Sequence, residues 1–164
     1  MKLLNGRGQL GTTLKTLNIQ LPNTHLYHTW NFTDKSQKTQ CKEFEKLEKY
    51  LSCLDDSIKL IFISTAATQP TYYSKYKKKA ERLVLDKSRD NLIIRLPCII
   101  GKGIFTKLYK NKVTPCGKIN FTTLEDAIHF VTKNLNASGT LECPHWSLPA
   151  TIVLKLIRFG DIIS

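Results

Sequence analysis

The sequence predicts an α/β fold, a mostly parallel sheet with helices on both faces, and three observations carry that expectation. Lys59-Leu60-Ile61-Phe62-Ile63-Ser64 is a continuous apolar run of strand length, the pattern of a parallel strand buried on both sides. Segments of helical period alternate with strand-like segments along the chain. Gly6-x-Gly8-x-x-Gly11 stands between a short apolar start and a helical stretch, the setting of a tight strand-to-helix turn.

Each element can be justified in order. Leu3-Leu4 runs directly into the glycine turn, and a helix from Leu10 to about Ile19 must stop before Pro22. His25–Trp30 reads as a strand of mixed polarity and Asn31–Thr39 as a polar loop. Cys41–Leu54 sets Phe44, Leu47, Leu51 and Leu54 on one helical face. After the Lys59–Ser64 strand and Pro70, a helix runs from about Tyr72 to Leu85. Asn91–Leu96 is another buried strand, followed by a turn at Pro97–Gly103. Beyond it the pattern gives a helix at Ile104–Asn111, a strand at Lys118–Phe121 and a helix at Leu124–Leu135. A short strand at Thr140–Glu142 and a helix at Leu148–Phe159 complete the series, with Trp146 and that helix either closing the core or presenting an apolar face to a dimer contact. No repeat or composition shift divides the chain, so residues 1–164 are expected to form one compact domain.

Composition narrows the partners. Lys and Arg number 25 against 13 Asp and Glu, a formal charge of +12 that favours phosphorylated ligands, nucleic acid or acidic membrane surfaces. Much of it is local, in Lys75-Tyr76-Lys77-Lys78-Lys79 and Lys107–Lys112, and such runs are either solvated helix faces or functional patches. Five cysteines without a C-x-x-C pair suggest neither a disulfide framework nor a zinc ribbon, and no metal site is expected. Cys143-Pro144-His145 reads as structural, and His129 as packed within an apolar helical stretch. The N-terminus reaches Asn5-Gly6 before an apolar signal region can form, and Ile152–Ile163 is interrupted by Lys155, Arg158 and Asp161. A cytoplasmic protein without a membrane segment is the expectation.

The candidate chemistry lies in two places. The glycine loop of Gly6, Arg7, Gly8, Gln9, Leu10 and Gly11 has dinucleotide-binding spacing. Two glycines let the backbone approach a pyrophosphate, the third lets the helix pack on its strand, and the helix N-terminus faces the phosphate. No carboxylate follows before Asp34 to hold an adenosine ribose. Arg7 either meets a 2′-phosphate, which favours NADP over NAD, or points to solvent. Tyr73 and Lys77 form a Tyr-x-x-x-Lys pair, which on a helix shares one face, so that an ammonium beside the phenol would lower its pKa. Thr65 follows the buried strand at its carboxyl end, where a hydroxyl can orient a substrate oxygen.

Ile61-Phe62-Ile63-Ser64-Thr65-Ala66-Ala67 followed by Tyr73-x-x-x-Lys77-x-x-Ala80-Glu81-Arg82-Leu83-Val84 resembles the active-site stretch of extended short-chain dehydrogenase/reductases. Asn91–Gly101 is similar to the strand and Arg-x-Pro turn of that family, and Asn120–Ala127 to the segment in which an Asp opens a helix. Gly8-Gln9-Leu10-Gly11 and Ser64-Thr65 resemble the dTDP-4-dehydrorhamnose reductase branch. The resemblance implies a Rossmann-like sheet of reduced strand number and an NAD(P)-dependent oxidoreductase or epimerase acting on a nucleotide-sugar-like substrate. It implies Thr65 as substrate-orienting, Tyr73 as acid/base, Lys77 as ribose-holding and phenol-tuning, Pro97 on the cofactor side, and a homodimer. The chain departs from the family by its brevity. Either His25–Trp30 is the fourth strand with the second and third absent, or Trp30–Asp34 ends the third strand and the fourth is lost. Only eight positions separate Thr65 from Tyr73, which leaves the site more open. Two other readings compete: a non-catalytic nucleotide-binding protein that kept the fold, and a nucleic-acid-binding module. The last ranks third because it gives the apolar strand and glycine loop no role.

Overall fold

The computed structural model describes residues 1–4, 6, 8–100, 117–149, 151, 152 and 155. In chain order the first half contains β1 (Lys2–Leu4), α1 (Gln9–Thr16), β2 (Thr24–Tyr27), α2 (Gln37–Ser52) and β3 (Lys59–Thr65). It continues with α3 (Tyr72–Lys87), β4 (Leu92–Leu96), β5 (Cys98–Ile100), β6 (Lys118–Thr123), α4 (Leu124–Lys133), β7 (Gly139–Glu142) and β8 (Trp146–Pro149). A wholly parallel sheet has the order β1-β2-β3-β4-β7. A second, three-stranded sheet has the order β5-β6-β8.

Alternation along β3 divides the core into two layers. Ile61 and Ile63 pack with Leu10 and Leu14 of α1 and Ala127 and Val131 of α4. Leu60 and Phe62 pack on the other side with Leu47 and Leu51 of α2 and Ala80 and Val84 of α3. Hydroxyl caps start three of these helices: Ser36 accepts from the Thr39 amide, Thr71 from Ser74 and Thr123 from Asp126. The Ser36 cap is why α2 begins four residues before the apolar pattern does.

The sheet order explains how the chain is shortened. β2 pairs with both β1 and β3, the position of the fourth strand in a doubly wound sheet, and Trp30–Asp34 forms no strand. The first of the two placements is therefore the one adopted, and β1 is an edge strand. The β1-α1-β2 and β2-α2-β3 units advance in the same direction with helices on opposite faces, so their crossovers have opposite hands. Such connections nearly always share one hand. The exception preserves something useful. The chain leaves β1 toward one face and β2 toward the other, and it is beside such a divergence, at the carboxyl ends of the strands, that open α/β sheets bind ligands.

Three expectations are corrected. The Pro97–Gly103 turn is interrupted by β5, because Cys98 and Ile100 find partners in Phe121 and Thr123 of β6. Leu148 and Pro149 are not helical but belong to β8, antiparallel to β6, and the helical residues begin at Thr151. Trp146 does not close the core: β8 is an outer strand, and the indole is 64 % exposed against the edge of Phe121. The helix expected at Ile104–Asn111 and most of the last helix lie outside the described residues. Among the described residues, no helix is long and apolar enough to cross a membrane.

Candidate functional site

The glycine turn is built by contact rather than by flexibility. A Cβ placed on Gly6 would stand 2.7 Å from the Gly11 Cα, a backbone collision, so these two glycines let strand β1 and helix α1 touch. Gly8 is different. A Cβ there would meet nothing within 4 Å, and the residue is the exposed N-cap of α1. Its carbonyl accepts the Thr12 amide at 2.9 Å, but it has no side chain to cap the first turn, and no acidic residue lies in that turn. The N–H groups of Gln9, Leu10 and Gly11 thus lack the hydroxyl acceptor that α2, α3 and α4 possess. Bare amides, the positive end of the helix and space above Gly8 suit a phosphate. Leu10 can offer only its backbone, since its side chain is buried in the core. Arg7 lies outside the described residues.

The registers put the second half of the site at the same height. Leu4 pairs with Tyr27, and Tyr27 with Phe62. Gly6 lies two residues beyond this level on β1, and Thr65 three residues beyond it on β3. With one strand between them, the two segments are separated by about 10 Å laterally on a single rim.

Thr65 and Tyr73 are brought together there. Thr65 Oγ1 accepts the Ala67 amide at 3.1 Å, which bends the chain off β3. A capping box between Thr71 and Ser74 then starts α3 with Tyr73 in its first turn. The Tyr73 phenol is pushed up to about 12 by burial, with Cys98 adding to the rise, while the Thr65 hydroxyl beside it works the other way. Pro97 is buried at the end of β4.

Lys77 does not lower the phenol pKa as the Tyr-x-x-x-Lys spacing suggests. Its ammonium is turned inward and donates to the Ile63 carbonyl at 2.7 Å. It sits 4.6 Å from the Trp30 ring centre and 4.5 Å from that of Phe62. Burial lowers its pKa to about 7, against the opposing charges of Glu81 and Glu43. His28, close by, is lowered to about 4 by burial and then by Lys77.

A polar scaffold that sequence reading missed holds this arrangement. Gln40, fully buried, accepts the Trp30 Nε1 hydrogen at 2.7 Å and donates to the Asn31 carbonyl at 2.8 Å and to that of Asp34. It fixes the β2-α2 connection and the indole on which Lys77 rests. Glu81 accepts from Ser64 at 2.6 Å and from Arg95 at 2.6 Å, tying α3 to β3 and β4. A Gln within an amphipathic helix and a Glu within a lysine-rich one carry no sequence signal of burial. A separate depression of about 320 Å³ lies between β6, α4 and the β7-β8 connection, walled by Phe121, Phe130 and Trp146. His129, which is exposed rather than packed, borders it beside Asp126, and Cys143 is buried behind.

No protein-family model matches the chain, and no curated protein matches it. Solved structures do. A dTDP-4-dehydrorhamnose reductase from Clostridium acetobutylicum superposes with a TM-score of 0.74 at 16 % identity, over 96 % of this chain and 81 % of that one. The fold is similar to that of solved dTDP-4-dehydrorhamnose reductases and of a nucleoside-diphosphate-sugar epimerase from Staphylococcus aureus. The corresponding reductase from Bacillus anthracis, solved with NADP, gives a TM-score of 0.72 at 15 % identity over 98 % of this chain and 82 % of that one. The Bordetella bronchiseptica enzyme WbmG, solved with NAD, gives 0.66 at 14 % identity, over 93 % of this chain and 60 % of that one. The α/β, Rossmann-like architecture expected from the sequence is the one observed.

Proposed function

We propose that the chain is an NAD(P)-dependent oxidoreductase or epimerase-type enzyme acting on a nucleotide-sugar-like substrate. The observation that carries this reading is the common rim of the uncapped glycine turn and the Thr65-Tyr73 pair. The likeness to a dTDP-4-dehydrorhamnose reductase solved with NADP and to the enzyme WbmG solved with NAD supports it. The amides of Gln9, Leu10 and Gly11 would hold the cofactor pyrophosphate, with Gly8 leaving it room, and Pro97 would border the nicotinamide side. A preference for NADP rests on Arg7. When bound, the nicotinamide would supply a hydride to a substrate carbonyl carbon or accept one from the corresponding carbinol carbon. Thr65 then hydrogen-bonds the substrate oxygen and Tyr73 exchanges its proton.

The raised phenol pKa sets the protonation state in which Tyr73 acts. With a pKa of about 12 Tyr73 keeps its proton at neutral pH, so it donates to a developing alkoxide. The reverse step, alcohol oxidation, needs the phenolate and would therefore speed up as pH rises. To hold the ribose, Lys77 would have to leave its Trp30-Phe62 box. The test is incubation with NADPH or NADH and dTDP- or UDP-linked keto sugars, following loss of the reduced cofactor. Tyr73→Phe should lower kcat by about 100-fold or more while cofactor affinity holds. Absence of cofactor binding in the wild-type protein overturns the reading.

A second reading, a nucleotide-binding protein without turnover, is favoured by the inward position of Lys77 and by the short Thr65-Tyr73 connection. It requires cofactor binding with no substrate conversion, and no biological consequence of Tyr73→Phe.

A further inference from the structure

Among the described residues, the exposed cations of the helices are segregated by face. On the outward sides of α2 and α3, Lys38, Lys42, Lys49, Lys75, Lys79 and Arg82 are all exposed, with Lys78 beside them. None of these is ion-paired among the described residues, whereas Lys46 and Lys87 are neutralised by Glu43 and Asp56. Glu45, Glu48 and Asp86 are the exposed acids of this face. The opposite face, made by α1 and α4, exposes Lys15 and Lys133 against Glu125 and Asp126 and is balanced. On α3, Lys75, Lys79 and Arg82 recur at one-turn intervals and span about 10 Å. A second row on α2 lies beside it, at the roughly 8–10 Å that separates packed helices. The seam between them is aromatic. Phe44 of α2 and Tyr76 of α3 meet with tilted rings, their centroids 6.0 Å apart, and Tyr72 is 45 % exposed. Lys75 and Lys79 stand over the Tyr72 and Tyr76 rings at 5.9 and 5.3 Å.

We propose that the α2-α3 face is a docking surface for single-stranded nucleic acid, with the two cation rows on phosphates and Tyr72 available to a base. The chemistry selects this occupant. A second copy of the chain would set lysine rows against lysine rows. A bilayer would require apolar side chains to insert, and within α2 and α3 the exposed large apolar side chain is that of Tyr72. A polyanion with planar bases uses both features present, cations and an accessible ring. The face lies on the outer side of the helices, so docking leaves the glycine turn and the Thr65-Tyr73 pair free for a cofactor. Nucleic acid on this face and a cofactor at the glycine turn would therefore occupy separate parts of the molecule.

The experiment is fluorescence anisotropy of a labelled oligothymidylate with the full chain at low and moderate salt. Three or four phosphate contacts predict that affinity falls about 20- to 50-fold between 50 and 200 mM salt. The triple variant Lys75→Glu, Lys79→Glu, Arg82→Glu should abolish binding, and Tyr72→Ala should weaken it about fivefold or more. The pair Lys15→Glu and Lys133→Glu on the opposite face should leave it nearly unchanged. Equal loss from both sets of charge reversals would overturn the proposal, as would absence of oligonucleotide binding. Sedimentation with phosphatidylserine vesicles in place of oligonucleotide binding would overturn it in favour of a lipid surface. Circular dichroism on each variant separates lost binding from lost fold.

Discussion

Lys77→Met is the perturbation whose size follows most directly from the structure. Lys77 is 4 % exposed, and burial lowers its pKa from 10.5 to about 7. A depression of that size corresponds to about 5 kcal/mol of stability lost when the group is carried as a cation. The sign is fixed by where each state binds the proton. Below about pH 7 the side chain is charged folded and unfolded, and the full penalty applies. Between about 7 and 10.5 the unfolded chain holds a proton that the folded one lacks, so stability rises with pH by about 1.4 kcal/mol per pH unit. Methionine fills a similar volume and does not titrate. It leaves the Ile63 carbonyl without its donor, a cost of about 1–3 kcal/mol. Lys77→Met should therefore be more stable than wild type by about 2–4 kcal/mol at pH 7 in urea denaturation. That advantage should shrink by about 2–3 kcal/mol at pH 9. Stability curves that stay parallel between these two pH values would refute the reasoning, because the ammonium would then not be titrating inside the folded protein.

Other consequences can be checked with the same assays. Gly11→Ala drives a methyl into the Gly6 backbone and should cost about 1–3 kcal/mol, read as a lower Tm. Gln40→Ala leaves the Trp30 Nε1 hydrogen and two backbone carbonyls without partners, and should destabilise by about 2–4 kcal/mol in denaturant. Glu81→Gln weakens the tie between Arg95 and Ser64, and should cost about 1–3 kcal/mol while leaving the Lys38 and Lys42 surface unaltered.

What the sequence disclosed and what it withheld differ for physical reasons. The β3 run and the α3 helix were legible because their patterns are long, and the parallel sheet followed from strict strand-helix alternation. The glycine turn was legible because Gly6 and Gly11 answer to a steric requirement that no other residue meets. Thr65 and Tyr73 could be paired because both flank one strand-to-helix connection. Strands β5 and β8 were not legible. They are three and four residues long, and they exist through pairing with β6 rather than through propensity of their own. The inward turn of Lys77 was hidden for a similar reason. Helical spacing places its Cα on the face of Tyr73, but the ammonium follows the Ile63 carbonyl and two rings contributed by β2-α2 and β3. Residues far apart in sequence decide such a detail, and no local pattern reports it.

The central claim is that the uncapped turn at Gly8 and the Thr65-Tyr73 pair line one dinucleotide crevice. A fluorescence titration of NADPH against wild-type protein and Gly8→Ala tests it most directly. The added methyl meets no protein atom within 4 Å, so the fold should be unchanged while the phosphate loses its room. Saturable wild-type binding that weakens at least about tenfold in Gly8→Ala is the result the account predicts. No binding at millimolar cofactor, or equal affinity in the two proteins, would contradict it.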